Sequence, residues 1–345
     1  MSTWGGILKE LAEAKPPAGV SPFDHVRRKY LVLLHQHTKR ASILYATKWT
    51  QPDPNVSPQL VSIADEDLQG LMEVIPGISE SNLDLILHSP GGSLDAVEAL
   101  VLYLRSKFNH IRVIVPQLAM SAATMIACAA DEIVLGKHSF LGPIDPQLIL
   151  NTPLGQRMVP AENILEQFEQ AKKECQDPLK LGAWLPMLNQ YGPDLLVSCE
   201  EARVLSKDLV RGWLESWMFN ADRDGKTKAR TIADWLSAHS DFKSHGRHIP
   251  RQELEQKGLK IVPLEKDQSL QDLVLSVFHA TTHTFNVTGA VKILENHLGK
   301  AFIKQAQAQA MFVPIPGPHP QQPPTQTPPW PQPPLSPPSQ PSPQP

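Results

Sequence analysis

The chain has 345 residues, enough for one large domain or two modest ones with a sizeable core, and its composition is globular apart from 34 prolines. A formal net charge of −3 gives no reason to expect nucleic acid or an anionic membrane as a partner. The three cysteines, Cys128, Cys175 and Cys199, cannot all pair within one chain and lack zinc-site spacing, so a reducing, cytoplasmic setting is expected, with no metal and no cofactor.

The first residues lack the apolar core of a secretory signal, and no run reaches the roughly 18 to 20 apolar residues of a membrane span. Residues 1–21 read as an N-terminal arm in which WGGILKELAEA (4–14) has the pattern of a short amphipathic helix. Its polar face is not notably basic, which makes it a packing arm first and a peripheral membrane contact second. Residues 24–40 place Val26, Tyr30, Leu33 and Leu34 at helical spacing, and ASILYATKW (41–49) reads as a buried strand. Beyond the Pro-rich QPDPNVSP, residues 65–78 predict a helix and 83–89 a strand ending at PGG. A periodic helix over 94–108, a strand over 111–116, the Ala-rich helix SAATMIACAA and the strand DEIVLG complete the series. Strand–helix–strand–helix–strand at this spacing predicts an α/β fold, a mostly parallel sheet with right-handed crossover helices. Reactive groups in such sheets collect beyond the carboxyl ends of the strands.

Helices are predicted over 161–175, 179–190, 200–216, 229–238 and 270–286, with a helix, a Gly stop and a strand in 251–265. The expected organisation is a main domain over 22–220, a smaller, mostly helical part over 221–313 and a tail over 314–345. That tail holds 16 of the 34 prolines and is expected to be disordered or polyproline. Its PPWPQPP (328–334) suits an SH3- or WW-like module, and a passive extension is the equal alternative.

Two loops fall at strand ends. In HSPGGS (88–93) a proline stops the strand and two glycines let the backbone turn sharply and bring N–H groups close to a bound carbonyl. Ser93 or Asp95 can cap the helix that follows. The loop has neither the GxGxxG nor the GK[ST] spacing of a nucleotide site. Ser121 opens the Ala-rich helix and admits two readings. It is a cap for the first helical amides, or it is a nucleophile whose developing oxyanion is held by Ala122 N–H and a glycine amide.

A Pro-Gly-Gly loop after one strand, a serine followed by small residues after the next, and then AADEIVLGKHSFLGPIDPQ (129–147) resembles the Clp-protease/crotonase-like superfamily. More narrowly, the chain resembles the serine dehydrogenase proteinase family, related to signal peptide peptidase A. The resemblance runs over about residues 22–286, through VRRKY, LHSPGG, HGRHIP and FHATTHTF. It implies peptide-bond hydrolysis with Ser121 as nucleophile, with Gly91, Gly92 and Ala122 as oxyanion donors, on a peptide or protein substrate. It also implies a homo-oligomer. The run VRRKY (26–30) reads as a solvated helix face, open to contact with a neighbouring subunit.

The base is less defined. Where the Clp proteolytic subunit has its histidine, this chain has Asp145 in LGPIDPQ, and His138 falls too early. Signal peptide peptidases use a downstream lysine, and the matching window is the helix 161–175. A stripe through Ala161, Leu165, Phe168, Lys172 and Cys175 carries Lys172 inward with Lys173 beside it, and burial there would bring a lysine toward neutrality. A Ser-Lys dyad of Ser121 with Lys172 or Lys173 is the resulting expectation, against the alternatives that Lys172 reaches out to solvent and that another base, or none, serves Ser121. His239, His245 and His248, and the pair His279 and His283, invite a metal reading, but HATTH lacks the glutamate of a metalloprotease motif. The rivals to a serine peptidase are a crotonase-type acyl-thioester enzyme using the same oxyanion hole, and a catalytically silent scaffold.

Overall fold

The computed structural model describes residues 3–51, 53–152 and 155–306. Contacts gather the described residues into one compact unit. The expected Pro-rich tail and its PPWPQPP segment lie outside the described residues.

Helices α1 (Trp4–Glu13) and α2 (Pro22–Thr38) lead into strand β1 (Ala41–Thr47). Then come α3 (Pro58–Val61), α4 (Asp67–Val74), β2 (Asn82–His88), α5 (Leu94–Lys107), β3 (His110–Val115) and β4 (Leu118–Ala119). Helix α6 (Ala122–Cys128), β5 (Glu132–Leu135) and β6 (Phe140–Leu141) follow. A hairpin of β7 (Gln147–Thr152) and β8 (Gly155–Pro160) passes to α7 (Ala161–Glu174), α8 (Pro178–Leu188) and α9 (Leu195–Trp213). The chain ends its described course with α10 (Gly225–Ser237), α11 (His239–Phe242), β9 (Ile249–Pro250), α12 (Arg251–Gln256), β10 (Ile261–Pro263), α13 (Gln268–Val287), β11 (Ala290–Asn296) and β12 (Ala301–Gln305).

The main sheet has seven strands in the order β10-β5-β3-β2-β1-β11-β12, parallel from β10 to β1 and antiparallel beyond. Its parallel strands β1, β2, β3 and β5 are buried on both faces, as crossover helices on two sides require. Ile43, Leu85, Val113 and Ile133 pack with α4, α5, α6 and the α9–α10 pair on one face. Leu44, Ile86, Ile114 and Val134 meet α2 and α13 on the other. A second, three-stranded sheet, β4-β6-β9, pairs β4 with β6 in parallel and β6 with β9 antiparallel.

The α/β class and the mostly parallel sheet agree with the sequence reading. The domain limit expected at residue 220 does not, because β10 pairs with β5, and β11 with β1, inside the main sheet. The C-terminal residues therefore complete the sheet rather than forming a helical appendage. AVKILEN of β11 escaped a reading based on apolar runs because buried polar residues interrupt it. Lys292, Glu295 and Asn296 are buried, and each is satisfied from outside its strand, by Asp67, by Arg27 with Arg28, and by the Val74 carbonyl respectively.

Candidate active site

The two loops singled out in the sequence meet. Where β2 ends, Ser89 N–H donates to the Leu118 carbonyl at 3.2 Å, and Met120 N–H donates back to the Ser89 carbonyl at 3.0 Å. This short parallel pairing clamps the start of the Pro-Gly-Gly loop to the residues just before Ser121. Gly91, at φ 98°, then passes so close that a Cβ added to it would stand 2.8 Å from Ser121 Cβ, Ala122 N and the Met120 carbonyl oxygen. No side chain fits there, and only glycine allows both the approach and the positive φ.

Gly92 is fixed from the opposite side. Ile63 N–H donates to the Gly91 carbonyl at 2.8 Å, and Ser93 N–H donates to the Ile63 carbonyl at 2.9 Å. In such a ladder the N–H of the intervening Gly92 points the other way. Ile63 is held by a buried ion pair beneath it. Lys292 Nζ donates to the Ser62 carbonyl at 2.8 Å and to both Asp67 oxygens at 2.6 and 2.8 Å. Asp67 also accepts from Ala64 N–H at 2.9 Å and from Tyr45 OH at 2.7 Å. Burial first, then the Asp67 charge, drives the Tyr45 phenol well above its ordinary pKa, so it stays a donor.

Ser121 itself sits at φ 53° and ψ −124°, a left-handed backbone that a residue with a Cβ rarely adopts. Its side chain makes no capping hydrogen bond, so the cap reading of the sequence does not hold, and the residue is half-buried rather than enclosed. Ala122–Cys128 behind it is wholly buried, which explains its run of small residues. Thr124 Oγ1 donates to the Ala119 carbonyl at 2.8 Å and accepts from Gly142 N–H at 2.9 Å, tying the turn to the loop after β6. Among the described residues, Gly92 N–H and Ala122 N–H have no hydrogen-bond acceptor, whereas Gly91 N–H is taken by Ser89 Oγ at 3.2 Å. Of the two candidate caps of α5, Ser93 fills the role, accepting from Ala96 N–H at 3.4 Å.

Over residues 60–181 the chain matches the family of ClpP-like SDH-type serine proteinases. This is the family the sequence resembles. The matched segment holds both loops, Ser121 and the α7 lysines, and the family is one of serine proteinases. Two uncharacterized proteins of Methanocaldococcus jannaschii are also similar. MJ1495 is 37% identical over 116 residues, covering 33% of this chain and 37% of the relative. MJ0137 is 38% identical over 109 residues, covering 31% and 35%. The chain thus spans little more than a third of the length of either relative.

The lysines depart from expectation. Helix α7 buries Ala161, Ile164 and Ala171, so its inward stripe lies one position from the one read in the sequence. The small Ala171 is buried, and Lys172 turns out to solvent, its side chain 56% exposed and paired with Glu169 at 2.7 Å. Lys173 is exposed as well. Neither lysine stands on the buried face of α7 that the sequence reading required.

Other groups are excluded on similar grounds. His88 is buried beneath the loop, its Nε2 meets Thr50 Oγ1 at 3.4 Å, and burial lowers its pKa to about 3, leaving it neutral. Burial pushes the Cys128 thiol up to about 12. His283 Nε2 bonds the Trp4 carbonyl at 2.9 Å, which makes it a packing residue between α13 and α1. Among the described residues the one cluster with metal-ligand proximity is His35, Glu80 and His297. There His297 Nδ1 lies 3.2 Å from Ser42 N and 3.4 Å from the Ser42 carbonyl oxygen, while its Nε2 faces Glu80 at 3.9 Å.

Sequence reasoning missed one constellation. Asp145, 2% exposed, accepts His239 Nδ1 on one oxygen and His245 Nδ1 on the other, each at 2.7 Å. Gln147 Nε2 adds a third bond at 3.0 Å. All three residues stood out in the sequence, but a separation of about a hundred residues gave no reason to join them.

Proposed function

We propose that the protein is a serine peptidase in which Ser121 Oγ attacks the carbonyl carbon of a peptide bond. The observation that carries this reading is the Ser121 backbone, held in a conformation that lies of order 1–3 kcal/mol above ordinary ones. Its hydroxyl does no capping, so the strain is spent on aiming it. As the Oγ–C bond forms, the carbonyl electron pair moves onto oxygen, where Gly92 N–H and Ala122 N–H stand ready as donors. Collapse of this intermediate releases the amine and leaves an ester on Ser121, which water cleaves. Gly91 contributes by lacking a side chain, because Ser89 Oγ already holds its N–H.

Lys172 and Lys173 are not assigned as the base, since both face solvent. A homo-oligomer forms part of the same reading. Met158 of β8 and Leu179 and Leu185 of α8 are exposed apolar side chains that a second copy would cover, and the mass in solution tests this. The decisive experiment is labelling with a fluorophosphonate and localisation by mass spectrometry. A single adduct on Ser121, absent from folded Ser121→Ala, supports the peptidase. A folded protein that takes no label favours the crotonase-type or scaffold alternative.

A further inference from the structure

We propose that His35, Glu80 and His297 form a binding site for a divalent transition-metal ion, zinc in the first place. The site goes beyond the peptidase reading and does not depend on it. The first argument is convergence. His35 stands in the last turn of α2, Glu80 two residues before β2 and His297 one residue after β11. Strand β11 runs antiparallel to β1, so its end meets the start of β1, with Ile43 opposite Asn296. All three residues therefore gather at the amino ends of β1 and β2, whereas Ser121 follows the carboxyl end of β3. Each offers one ligand atom, and these atoms all lie within 4.8 Å of one another. No spacing rule for metal sites joins residues so far apart in a chain.

The second argument is the gap between them. Glu80 Oε1 lies 3.6 Å from His35 Nε2, and Glu80 Oε2 lies 3.9 Å from His297 Nε2. Both separations are too long for hydrogen bonds. Among the described residues the Glu80 carboxylate has no hydrogen-bond partner, although its side chain is only 24% exposed. Ligands bound at about 2.0–2.1 Å around a tetrahedral ion stand roughly 3.3 Å apart, so these two edges exceed a filled site by about 0.3–0.6 Å. An ion closes such a space where a hydrogen bond does not.

The third argument is the state of the ligands. His35 Nδ1 lies 2.8 Å from the Arg40 carbonyl oxygen, which only accepts, so the neutral ring carries its proton there and turns the Nε2 lone pair toward Glu80. A ring held through its other nitrogen by a backbone carbonyl is the usual setting of a metal-bound histidine. His297 Nδ1 stands 3.2 Å from Ser42 N and 3.4 Å from the Ser42 carbonyl oxygen, and that carbonyl takes its proton when Nε2 is bound. The two rings stack with centroids 4.0 Å apart and planes 15° from parallel. Binding opens this stack. His35, 26% exposed against 3% for His297, is the ring that turns.

Two imidazole nitrogens and one carboxylate oxygen suit Zn²⁺, Co²⁺ or Ni²⁺, whereas Ca²⁺ and Mg²⁺ take oxygen ligands. Three protein ligands leave a fourth position for water on the exposed side of Glu80. The ion ties the end of α2 and the segment entering β2 to the turn after β11, so its effect is on stability.

The test uses the full chain, freed of metal with a chelator and then dialysed against Zn²⁺ or Co²⁺. Zn²⁺ at about 100 times its dissociation constant should raise the unfolding temperature by roughly 5–10 °C, and Ca²⁺ and Mg²⁺ should leave it unchanged. Bound Co²⁺ should develop the visible absorption of a four-coordinate ion. Glu80→Gln and His35→Gln, both at partly exposed positions, should each weaken Zn²⁺ binding at least about tenfold and remove that absorption with the fold intact. His297→Gln should do the same, and should this buried variant not fold, the other two decide. A parent that takes up neither Zn²⁺ nor Co²⁺ at about 100 µM overturns the inference, Glu80 then being no more than an ion-pair partner of the histidines. Undiminished binding by folded Glu80→Gln and His35→Gln overturns it equally, because the ion would sit elsewhere. No readout involves Ser121, so failure of the peptidase reading leaves this result standing.

Discussion

Replacing Ser121 by glycine separates an aimed serine from a helix cap without any substrate. At φ 53° and ψ −124° the residue holds a conformation that glycine adopts freely and alanine does not. The strain released is about 1–3 kcal/mol. Glycine also gives the unfolded chain more freedom, which offsets about 0.4–1 kcal/mol of that gain. No capping bond is lost, since the hydroxyl makes none. Ser121→Gly is therefore expected to be more stable than Ser121→Ala by roughly 1–2 kcal/mol, the alanine keeping the Cβ and hence the strain. For a unit of this size that is a rise of about 2–4 °C in unfolding temperature. Urea titrations of both variants, with equal slopes, measure the difference. Both should lose fluorophosphonate labelling. A glycine variant equal to or weaker than the alanine variant refutes the reasoning, because the hydroxyl would then be holding the helix and the turn would carry no strain.

Gly91→Ala forces a Cβ to within 2.8 Å of Ser121 Cβ and Ala122 N, displacing one donor of the proposed hole. Acylation should fall by about 10²-fold, the usual effect of losing one such N–H, and a change under threefold would refute the assignment. Lys172→Ala and Lys173→Ala should alter acylation by less than about threefold, because both side chains stand in solvent; a loss of a hundredfold in either would restore the lysine as base. His88 has a folded pKa of about 3, below its unfolded value, so the unfolded chain binds the extra proton between these limits. Stability from this residue is then complete above about pH 6.5 and falls as pH drops toward 3, by about 1.4 kcal/mol per unit. Urea midpoints of His88→Leu at pH 7 and pH 5 should show a shallower acid loss than the parent, and an identical loss would contradict it.

The turn at Ser121 and the Pro-Gly-Gly loop beside it were legible because backbone chemistry writes them locally. Proline and paired glycines after a strand, and a small-residue helix after the next, leave few other conformations, and both loops lie where the strand order predicts. The placement of the α7 lysines was not legible for the opposite reason. On α7 an amphipathic helix was correctly read, but its inward stripe was set by whether Ile164 or Leu165 packs deepest, a tertiary outcome of one residue's rotation. Lys172 moved from inside to outside on that choice. The strand β11 was missed because Lys292 and Glu295 look like surface residues until Asp67, Arg27 and Arg28 are known to meet them.

Those buried pairs also bear on where the functional unit ends. Lys292 sits on β11, far beyond the expected limit at residue 220, yet through Ser62 and Asp67 it sets the height of Ile63, and Ile63 sets Gly92. Removing one partner of a fully buried ion pair leaves an uncompensated charge, at a cost of about 3–5 kcal/mol. The damage from Lys292→Met would thus be felt at the Pro-Gly-Gly loop, a segment Lys292 does not touch. A fragment ending near residue 220 would lack both this anchor and the antiparallel strands covering β1, and with them His239 and His245. The orientation of the Gly92 amide near Ser121 is therefore a property of the sheet that includes β11, not of the Pro-Gly-Gly loop alone.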